Sequence, residues 1–226
     1  MDARLLELLE LFEELGLWDD GVQLIGSWCF LLYQRHLGVR SFPLRTQDVD
    51  FLLPLPYPKR DIVNLTDRLA KLGFRSERNS DGSNYFAHPE LKLEFLVPER
   101  GRGGLEPRAV KPLGMRPVAL RFMDMLRQNS ILIKEGKANV RVPSPLSFCL
   151  HKFVIAQRRA GRDKHDKDIQ QAVYILDILG TADVKSGLAT LPKNWRKLAD
   201  KSIKQAWDLF PLERSVLIKH GLAPQT

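Results

Sequence analysis

The chain has 226 residues, of which 44% are hydrophobic, and its formal net charge is +8. This composition is ordinary for a globular protein of one large domain or two small ones, and the lack of any run of about 18 apolar residues excludes a membrane-spanning helix. The excess of positive charge favours polyanionic partners such as RNA, DNA or nucleotide phosphates, although a basic surface that only contacts solvent explains it equally well.

The first residues predict an acidic amphipathic helix and a short strand. Residues 2–16 repeat leucine and phenylalanine at helical spacing among glutamates, and a glycine ends the pattern. The apolar residues 22–25 form the predicted strand, which ends in Gly26 and Ser27. The next helix, predicted over residues 27–37, therefore begins at a Gly-Ser turn, where backbone N–H groups and the positive end of the helix dipole favour a phosphate. Ser27 is also a preferred N-cap residue, and both roles are compatible at one position.

Two carboxylates share one face of the following strand, predicted over residues 46–53. Side chains two residues apart on a strand point the same way, so Asp48 and Asp50 project together while Val49 and Phe51 point toward a core. Such a pair repels unless a cation lies between its members, and hard oxygen ligands suit Mg²⁺. A phosphate-binding turn next to a metal-binding carboxylate pair indicates a phosphoryl-transfer site.

A third carboxylate lies on a later strand. The chain continues with a helix predicted over residues 59–72 and strands predicted over residues 74–77, 85–88 and 91–97. On the last strand Glu94 lies opposite the leucines and phenylalanine, as Asp48 and Asp50 lie opposite the apolar side chains of theirs. This parallel groups Glu94 with the two aspartates; the alternative is an ordinary solvent-facing glutamate beside Lys92.

The strand that ends in Gly-Ser, the helix after it and the strand that carries Asp-x-Asp resemble the DNA polymerase beta-like nucleotidyltransferase superfamily over roughly the first 98 residues. The resemblance implies that three carboxylates hold two Mg²⁺ ions, and it carries that role to Asp48, Asp50 and Glu94. A glutamate stands here in the third position, where aspartate is commoner. The resemblance also implies that Gly26 and Ser27 bind the β- and γ-phosphates of a nucleoside triphosphate such as ATP.

The C-terminal half is predicted to be helical, with helices over residues 145–160 and 167–179. Its pattern of Pro-x-x-Leu, His-Lys, Arg and Lys-Asp resembles the second lobe of bacterial nucleotidyltransferase-like proteins, including toxins of abortive-infection and toxin–antitoxin systems. The resemblance implies that Lys152, Lys167 and Asp168 face the cleft and bind the outer phosphates and the departing pyrophosphate. In an equally weighted alternative, Asp168 caps the start of a helix and pairs with Lys152.

The predicted fold is α/β (α+β), with a small mixed nucleotidyltransferase sheet flanked by helices and followed by a mainly helical C-terminal lobe. Its predicted boundaries are residues 1–98 for the nucleotidyltransferase core, 99–143 for a linker and hairpin region and 144–226 for the helical lobe. Cys29 and Cys149 lie in apolar helical contexts, which predicts two buried thiols in a reducing cytoplasm rather than a disulfide or a metal site.

Together these features predict a metal-dependent nucleotidyltransferase that transfers a nucleoside monophosphate from an NTP to a hydroxyl acceptor by a two-metal mechanism. Glu94 would also accept the proton of the attacking hydroxyl. RNA such as tRNA is the first expected acceptor, a protein hydroxyl the second and a small molecule such as an aminoglycoside the third, and an antitoxin protein is an expected partner. The alternative is a non-catalytic nucleotide- or RNA-binding module on the same fold, although such a module is free to lose the Asp-x-Asp carboxylates that this chain retains.

Overall fold

The computed structural model describes residues 3–41, 46–59, 61–99, 106–107 and 109–224. Contacts between residues divide the chain into two units, of which unit 1 contains residues 1–32 and 43–143 and unit 2 contains residues 33–42 and 144–226. Much of the basic stretch at residues 100–108, which belongs to the predicted linker, lies outside the described residues.

Unit 1 is built on a mixed sheet whose main strands alternate between apolar and polar side chains. The strands are β1 (Gln23–Ile25), β2 (Asp48–Leu52), β3 (Arg75–Arg78), β4 (Asn84–Ala87), β5 (Lys92–Pro98) and β6 (Val118–Leu120). The order is β1-β2-β5-β4-β3, and β6 also pairs with β5. Pairing is parallel between β2 and β5 and between β5 and β6, and antiparallel between the other neighbours. A separate antiparallel hairpin consists of β7 (Ile131–Glu135) and β8 (Ala138–Val142).

An aromatic core covers one face of this sheet. The described helices of unit 1 are α1 (Ala3–Glu14), α2 (Gly26–His36), which continues into unit 2, α3 (Leu65–Lys71) and α4 (Asp124–Arg127). The ring of Phe12 on α1 lies 4.6 Å from that of Phe51 on β2 and 6.2 Å from that of Phe95 on β5. The indole of Trp18 packs 5.4 Å from Phe12 and donates a hydrogen bond to the carbonyl of Leu9. Helix α1 is therefore held on the sheet by its apolar face, while its glutamates face outward.

The opposite face of the sheet has an apolar part and a polar part. Its apolar part is a buried cluster to which β1, β2, β5 and the segment around α4 contribute, formed by Ile25, Leu52, Leu96, Met123 and Leu126 with Val118 packed against it. The earlier residues of β2 and β5 carry polar side chains on the same face, beginning with Asp48, which is exposed. The apolar cluster covers this face only near the ends of β2 and β5. The polar side chains at the beginnings of these two parallel strands lie outside the cluster.

Unit 2 is helical in its described residues. Its helices after α2 are α5 (Pro145–Ala156), α6 (Arg162–Leu176), α7 (Thr181–Thr190), α8 (Lys193–Leu209) and α9 (Arg214–Lys219). Helix α5 begins at Pro145 because the preceding Ser144 accepts a hydrogen bond from the backbone N–H of Ser147, and proline is favoured in a first helical turn. Most side chains of α5 are buried, and they pack against α6, α7 and α8.

The predicted fold class is confirmed, because a small mixed sheet with flanking helices precedes a helical C-terminal part. Two helix starts were wrong. Helix α3 begins at Leu65 rather than near residue 59, since Asn64 caps it by accepting from the N–H of Asp67. Helix α6 begins at Arg162 rather than residue 167. Within the described ranges, no helix combines the length and apolar character needed to cross a membrane.

Both cysteines have the predicted environment. Cys29 and Cys149 are buried, and neither forms a disulfide. Burial raises the pKa of the Cys149 thiol above its usual range, because the thiolate has no solvent to stabilise its charge. Cys149 therefore behaves as a small apolar side chain of the unit 2 core.

Candidate active site

The carboxylates of unit 1 are arranged by the register of two parallel strands. Asp50 on β2 is the partner of Glu94 on β5, and Asp48 is the partner of Lys92. Partner residues on neighbouring strands lie about 4.8 Å apart and share one face of the sheet. Asp48, Asp50 and Glu94 thus stand on the same face, opposite the buried Val49, Phe51, Leu93 and Phe95.

Gly26 makes room for the carboxylate of Asp50. Strand β1 ends at Ile25, which is the antiparallel partner of Asp50, and the chain then turns into α2 at Gly26 with φ +67°. A Cβ atom at this position would stand 2.3 Å from Oδ2 of Asp50, far inside van der Waals contact. Only glycine avoids both the overlap with the carboxylate and the strain of a positive φ. The Gly-Ser turn and the Asp-x-Asp strand are therefore parts of one local structure.

Ser27 lies in the first turn of α2 and is buried. The first backbone N–H groups of a helix have no partners within the helix, and they concentrate the positive end of its dipole. Ser27 follows Gly26 directly, so these N–H groups begin next to the carboxylate of Asp50. These N–H groups and the nearby carboxylate together suit a phosphate that is bound along with a cation.

Lys92 occupies the carboxylate face with its own positive charge. Its ammonium forms an ion pair with Glu94 and lies 4.7 Å from the ring centroid of Tyr85, the antiparallel partner of Glu94 on β4. The hydrogen bond to Glu94 and the charges of Glu94 and Asp48 raise the pKa of Lys92, although partial burial opposes them. The lysine is therefore protonated at neutral pH and offsets one of the three negative charges.

The donor set fits a divalent cation, but its members are not gathered as ligands in this conformation. Among the described residues, no three His, Cys, Asp or Glu side chains stand together as a ready metal site. Glu94 is engaged by the ammonium of Lys92, and Gly26 places no side chain of its own next to Asp50. The three carboxylates carry the hard oxygen atoms that suit Mg²⁺, and Glu94 would have to leave the ammonium of Lys92 before it could bind a metal.

Two of the residues predicted in the helical lobe, Lys152 and Asp168, form a buried ionic cluster with Arg159 within unit 2. Nζ of Lys152 on α5 lies 2.6 Å from Oδ1 of Asp168 on α6, and these side chains are only 5% and 4% exposed. Nε of Arg159 lies 2.6 Å from the second oxygen, Oδ2. Burial acts to raise the pKa of Asp168, but the charges of Lys152 and Arg159 outweigh burial and hold that pKa below its usual range. The carboxylate is thus ionised and bound on both oxygens.

The position of Asp168 tests the alternative in which this residue caps a helix and pairs with Lys152. Helix α6 starts at Arg162, so Asp168 lies well inside the helix and cannot cap it; the cap was wrong. The pairing with Lys152 is confirmed. The neighbouring Lys167 is half-buried, and burial together with the charge of Lys152 lowers the pKa of its ammonium. The binding of phosphate by Lys152, Lys167 and Asp168 stays a prediction.

Three residues beside these groups have no role in the sequence-based prediction of the site: Lys92, Tyr85 and Arg159. Lys92 has a detectable signal, because it lies two residues before Glu94 on the same strand and therefore on the same face. Tyr85 has none, since its position follows from the pairing of β4 with β5. Arg159 lies beyond the end of α5 and reaches Asp168 only through the packing of α5 on α6.

Comparison with known proteins gives one family and a shared fold. A family model described as nucleotidyltransferase matches residues 3–194. No match was found among curated proteins. The chain is similar to the crystal structure of an antigenic nucleotidyltransferase-like protein from Paracoccidioides brasiliensis, with 15% identity over 92% of this chain and 89% of that one and a TM-score of 0.51, a likeness that shows the fold. It is also similar to the solution structure of the antibiotic-resistance factor ANT(2'')-Ia, with 14% identity over 92% and 97% of the two chains and a TM-score of 0.48.

Proposed function

The chain belongs to the nucleotidyltransferase family, and from that premise we propose that it transfers a nucleoside monophosphate from an NTP to a hydroxyl acceptor. The observation that carries this proposal is the pairing of Asp50 with Glu94 on parallel strands, beside a glycine turn that opens a helix. In the reaction the acceptor oxygen bonds to the α-phosphorus, the bond from that phosphorus to the bridging oxygen breaks, and pyrophosphate leaves.

The residues of unit 1 have separate tasks in this proposal. Asp48, Asp50 and Glu94 would hold Mg²⁺, which when bound supplies positive charge to the attacking and leaving oxygens. The backbone N–H groups at Gly26 and Ser27 bind the outer phosphate oxygens. Glu94 accepts the proton of the attacking hydroxyl, a role that requires its separation from Lys92. The protein mainly positions the reactants and stabilises charge, as in other phosphoryl transfers.

The test is transfer of label from each radiolabelled NTP to total RNA and total protein in the presence of Mg²⁺. We expect transfer by the wild type and its loss in Asp50→Asn and Glu94→Gln. Glu77→Gln is the matched control, because Glu77 is an exposed glutamate on β3 of the same sheet. Equal activity of all the variants would overturn the proposal.

A non-catalytic module that binds nucleotide or RNA is the second candidate function. The Lys92–Glu94 ion pair favours it, since an occupied carboxylate is not ready to bind metal. Nucleotide binding that survives in Asp50→Asn, without label transfer by the wild type, would establish the module instead of the enzyme.

The most specific version of the proposal is a toxin with an antitoxin partner. It rests on the resemblance of the helical lobe to such proteins. Induced expression tests it directly. Growth arrest by the wild type that Asp50→Asn abolishes would support a toxic transfer reaction, and unaffected growth would remove this form of the proposal.

A further inference from the structure

The excess positive charge of the chain resides in unit 2. Unit 2 contains 16 Lys and Arg and 8 Asp and Glu residues, so its formal charge of +8 equals that of the whole chain. Unit 1 contains 19 residues of each kind and is neutral. A polyanion is therefore attracted by the helical unit rather than by the unit that carries the carboxylates.

Helix α8 concentrates part of that charge on one face. Four lysines follow one another at intervals of four, four and three residues, all of them exposed: Lys193, Lys197, Lys201 and Lys204. At 100° per residue they fall within about 80° of the helix circumference, and at 1.5 Å per residue they extend over about 16 Å. The opposite face of the helix packs into unit 2 through Ala199, Ile203 and Ala206. Across the described ranges, no carboxylate forms an ion pair with any of the four ammonium groups.

The start of α6 lies beside α8 and carries side chains of both charges. Gln205, which flanks the lysines on α8, accepts one hydrogen bond from Gln157 and contacts Nε2 of His165 at 3.1 Å. These contacts hold the beginning of α6 beside α8, and that beginning carries the exposed Arg162 and Lys164. Arg162 forms an i,i+4 pair with Asp166, yet its side chain is 84% exposed. The four lysines of α8 are called the α8 basic surface below.

We propose that the α8 basic surface binds the phosphate backbone of RNA, which makes RNA the acceptor class. The inference deepens the proposed function, but the binding itself needs neither NTP nor metal. Lysines spaced about 6 Å apart on a rigid helix suit a row of phosphates, to which each contributes a point charge. RNA offers the 2′- and 3′-hydroxyls that a hydroxyl acceptor requires.

The composition of this surface argues against two other partners. A membrane-surface helix inserts apolar side chains, whereas the apolar face of α8 is buried in unit 2 and no exposed large hydrophobic residue is found on it among the described residues. Protein interfaces are enriched in aromatic residues and depleted of lysine, which dominates here. Electrostatic binding to a phosphate backbone is the interaction that suits these side chains best.

The experiment compares two variants of the full chain with equal loss of charge. In the first, Lys193, Lys197, Lys201 and Lys204 on α8 are all changed to Gln. In the matched control, four exposed lysines of unit 1 are changed to Gln: Lys71, Lys111, Lys134 and Lys137. Binding to a labelled RNA hairpin with a single-stranded 3′ end is measured by fluorescence anisotropy between about 50 and 200 mM salt, without NTP or Mg²⁺. Melting temperatures establish that both variants are folded.

We expect the α8 variant to bind at least tenfold more weakly at about 100 mM salt, with a log–log salt slope shallower by about three to four. The control should stay within about threefold of the wild type. Equal weakening of both variants, or no binding by the wild type, would overturn the proposal. The proposal would also be overturned if duplex DNA or anionic vesicles competed as strongly as unlabelled RNA. RNA binding without label transfer would leave RNA binding by this surface standing, while the proposed function and the acceptor role of RNA fail. Label transfer without RNA binding would leave the proposed function standing and overturn this inference.

Discussion

Lys92 and Glu94, two residues apart on β5, form an ion pair on the face that Glu94 shares with its register partner Asp50. The ammonium thus holds a carboxylate that the proposed reaction requires for a metal ion. The side chains are 37% and 29% exposed, so solvent screens their attraction, and such pairs contribute about 1 kcal/mol at most. In the proposed reaction the ammonium would compete with the metal for Glu94, and a pair this weak could be displaced by it.

We therefore expect Lys92→Met to bind Mn²⁺ about fivefold more tightly than the wild type, which corresponds to ~1 kcal/mol. The physical reason is that Glu94 no longer has to exchange one cation for another. Isothermal titration calorimetry measures the change directly, and Lys71→Met, a change at an exposed lysine of the same unit, serves as the control. An unchanged affinity would show that Lys92 does not compete with the metal for Glu94. Weaker binding of Mn²⁺ by the variant would show that Lys92 assists metal binding.

Gly26→Ala tests the contact between the glycine turn and Asp50. The added Cβ would overlap Oδ2 of Asp50 at 2.3 Å, in addition to the cost of about 1 kcal/mol for alanine at a positive φ. Gly82→Ala is the matched control, since Gly82 has φ +83° and nothing within 4 Å of its added Cβ. We expect Gly82→Ala to lose about 1 kcal/mol in urea unfolding and Gly26→Ala to lose more, because only Gly26→Ala adds the overlap with Asp50. Only Gly26→Ala should also lose metal binding and label transfer. A fully active Gly26→Ala would separate the turn from the site.

The Lys152–Asp168 pair predicts strongly non-additive stability changes. Lys152→Met leaves a buried carboxylate with Arg159 as its remaining cation, and Asp168→Leu leaves a buried ammonium whose ring contact is Phe148 at 5.3 Å. Removal of one partner of a buried ion pair costs about 3 kcal/mol, whereas replacement of both by apolar groups costs far less. Urea unfolding of the two single variants and the double variant measures this coupling. Additive losses would mean that the two charges do not depend on each other.

His151 predicts a loss of stability in mild acid. Burial and the nearby charges of Lys152 and Arg159 lower the pKa of this α5 side chain to about 3, although Asp168 acts in the opposite direction. The unfolded chain takes up the proton near pH 6.5, whereas the folded chain stays neutral, so the contribution is complete above pH 6.5 and is lost as the pH falls toward 3.

The expected slope is up to about 1.4 kcal/mol per pH unit, because the unfolded state binds one more proton. Urea unfolding of the wild type and of His151→Leu at several values between pH 7 and pH 4.5 isolates the effect. The lowered pKa of His220 acts in the same direction but is present in both proteins. Parallel pH profiles of the two proteins would show that His151 titrates normally in the folded state.

Local patterns predicted the strands and helices that have regular apolar spacing. Strand β2 and strand β5 show their two faces in the sequence, because alternation follows from backbone geometry within a few residues. The start of α6 was missed for the opposite reason. Residues 162–167 are polar throughout, and His165 binds Gln157 and Gln205 from other helices, so apolar periodicity does not mark this turn.

The sequence by itself determined that Asp48 and Asp50 share a face, that Glu94 opposes its own apolar neighbours, and that Gly26 and Ser27 open a helix, since each relation spans only a few residues. Only the tertiary structure decided that Asp50 pairs with Glu94, that Gly26 abuts Asp50, and that Lys92 occupies the carboxylate face. The physical reason is that strand register depends on contacts between distant segments. Here the packing of Phe12, Phe51 and Phe95 aligns β2 with β5, and no local spacing encodes that alignment.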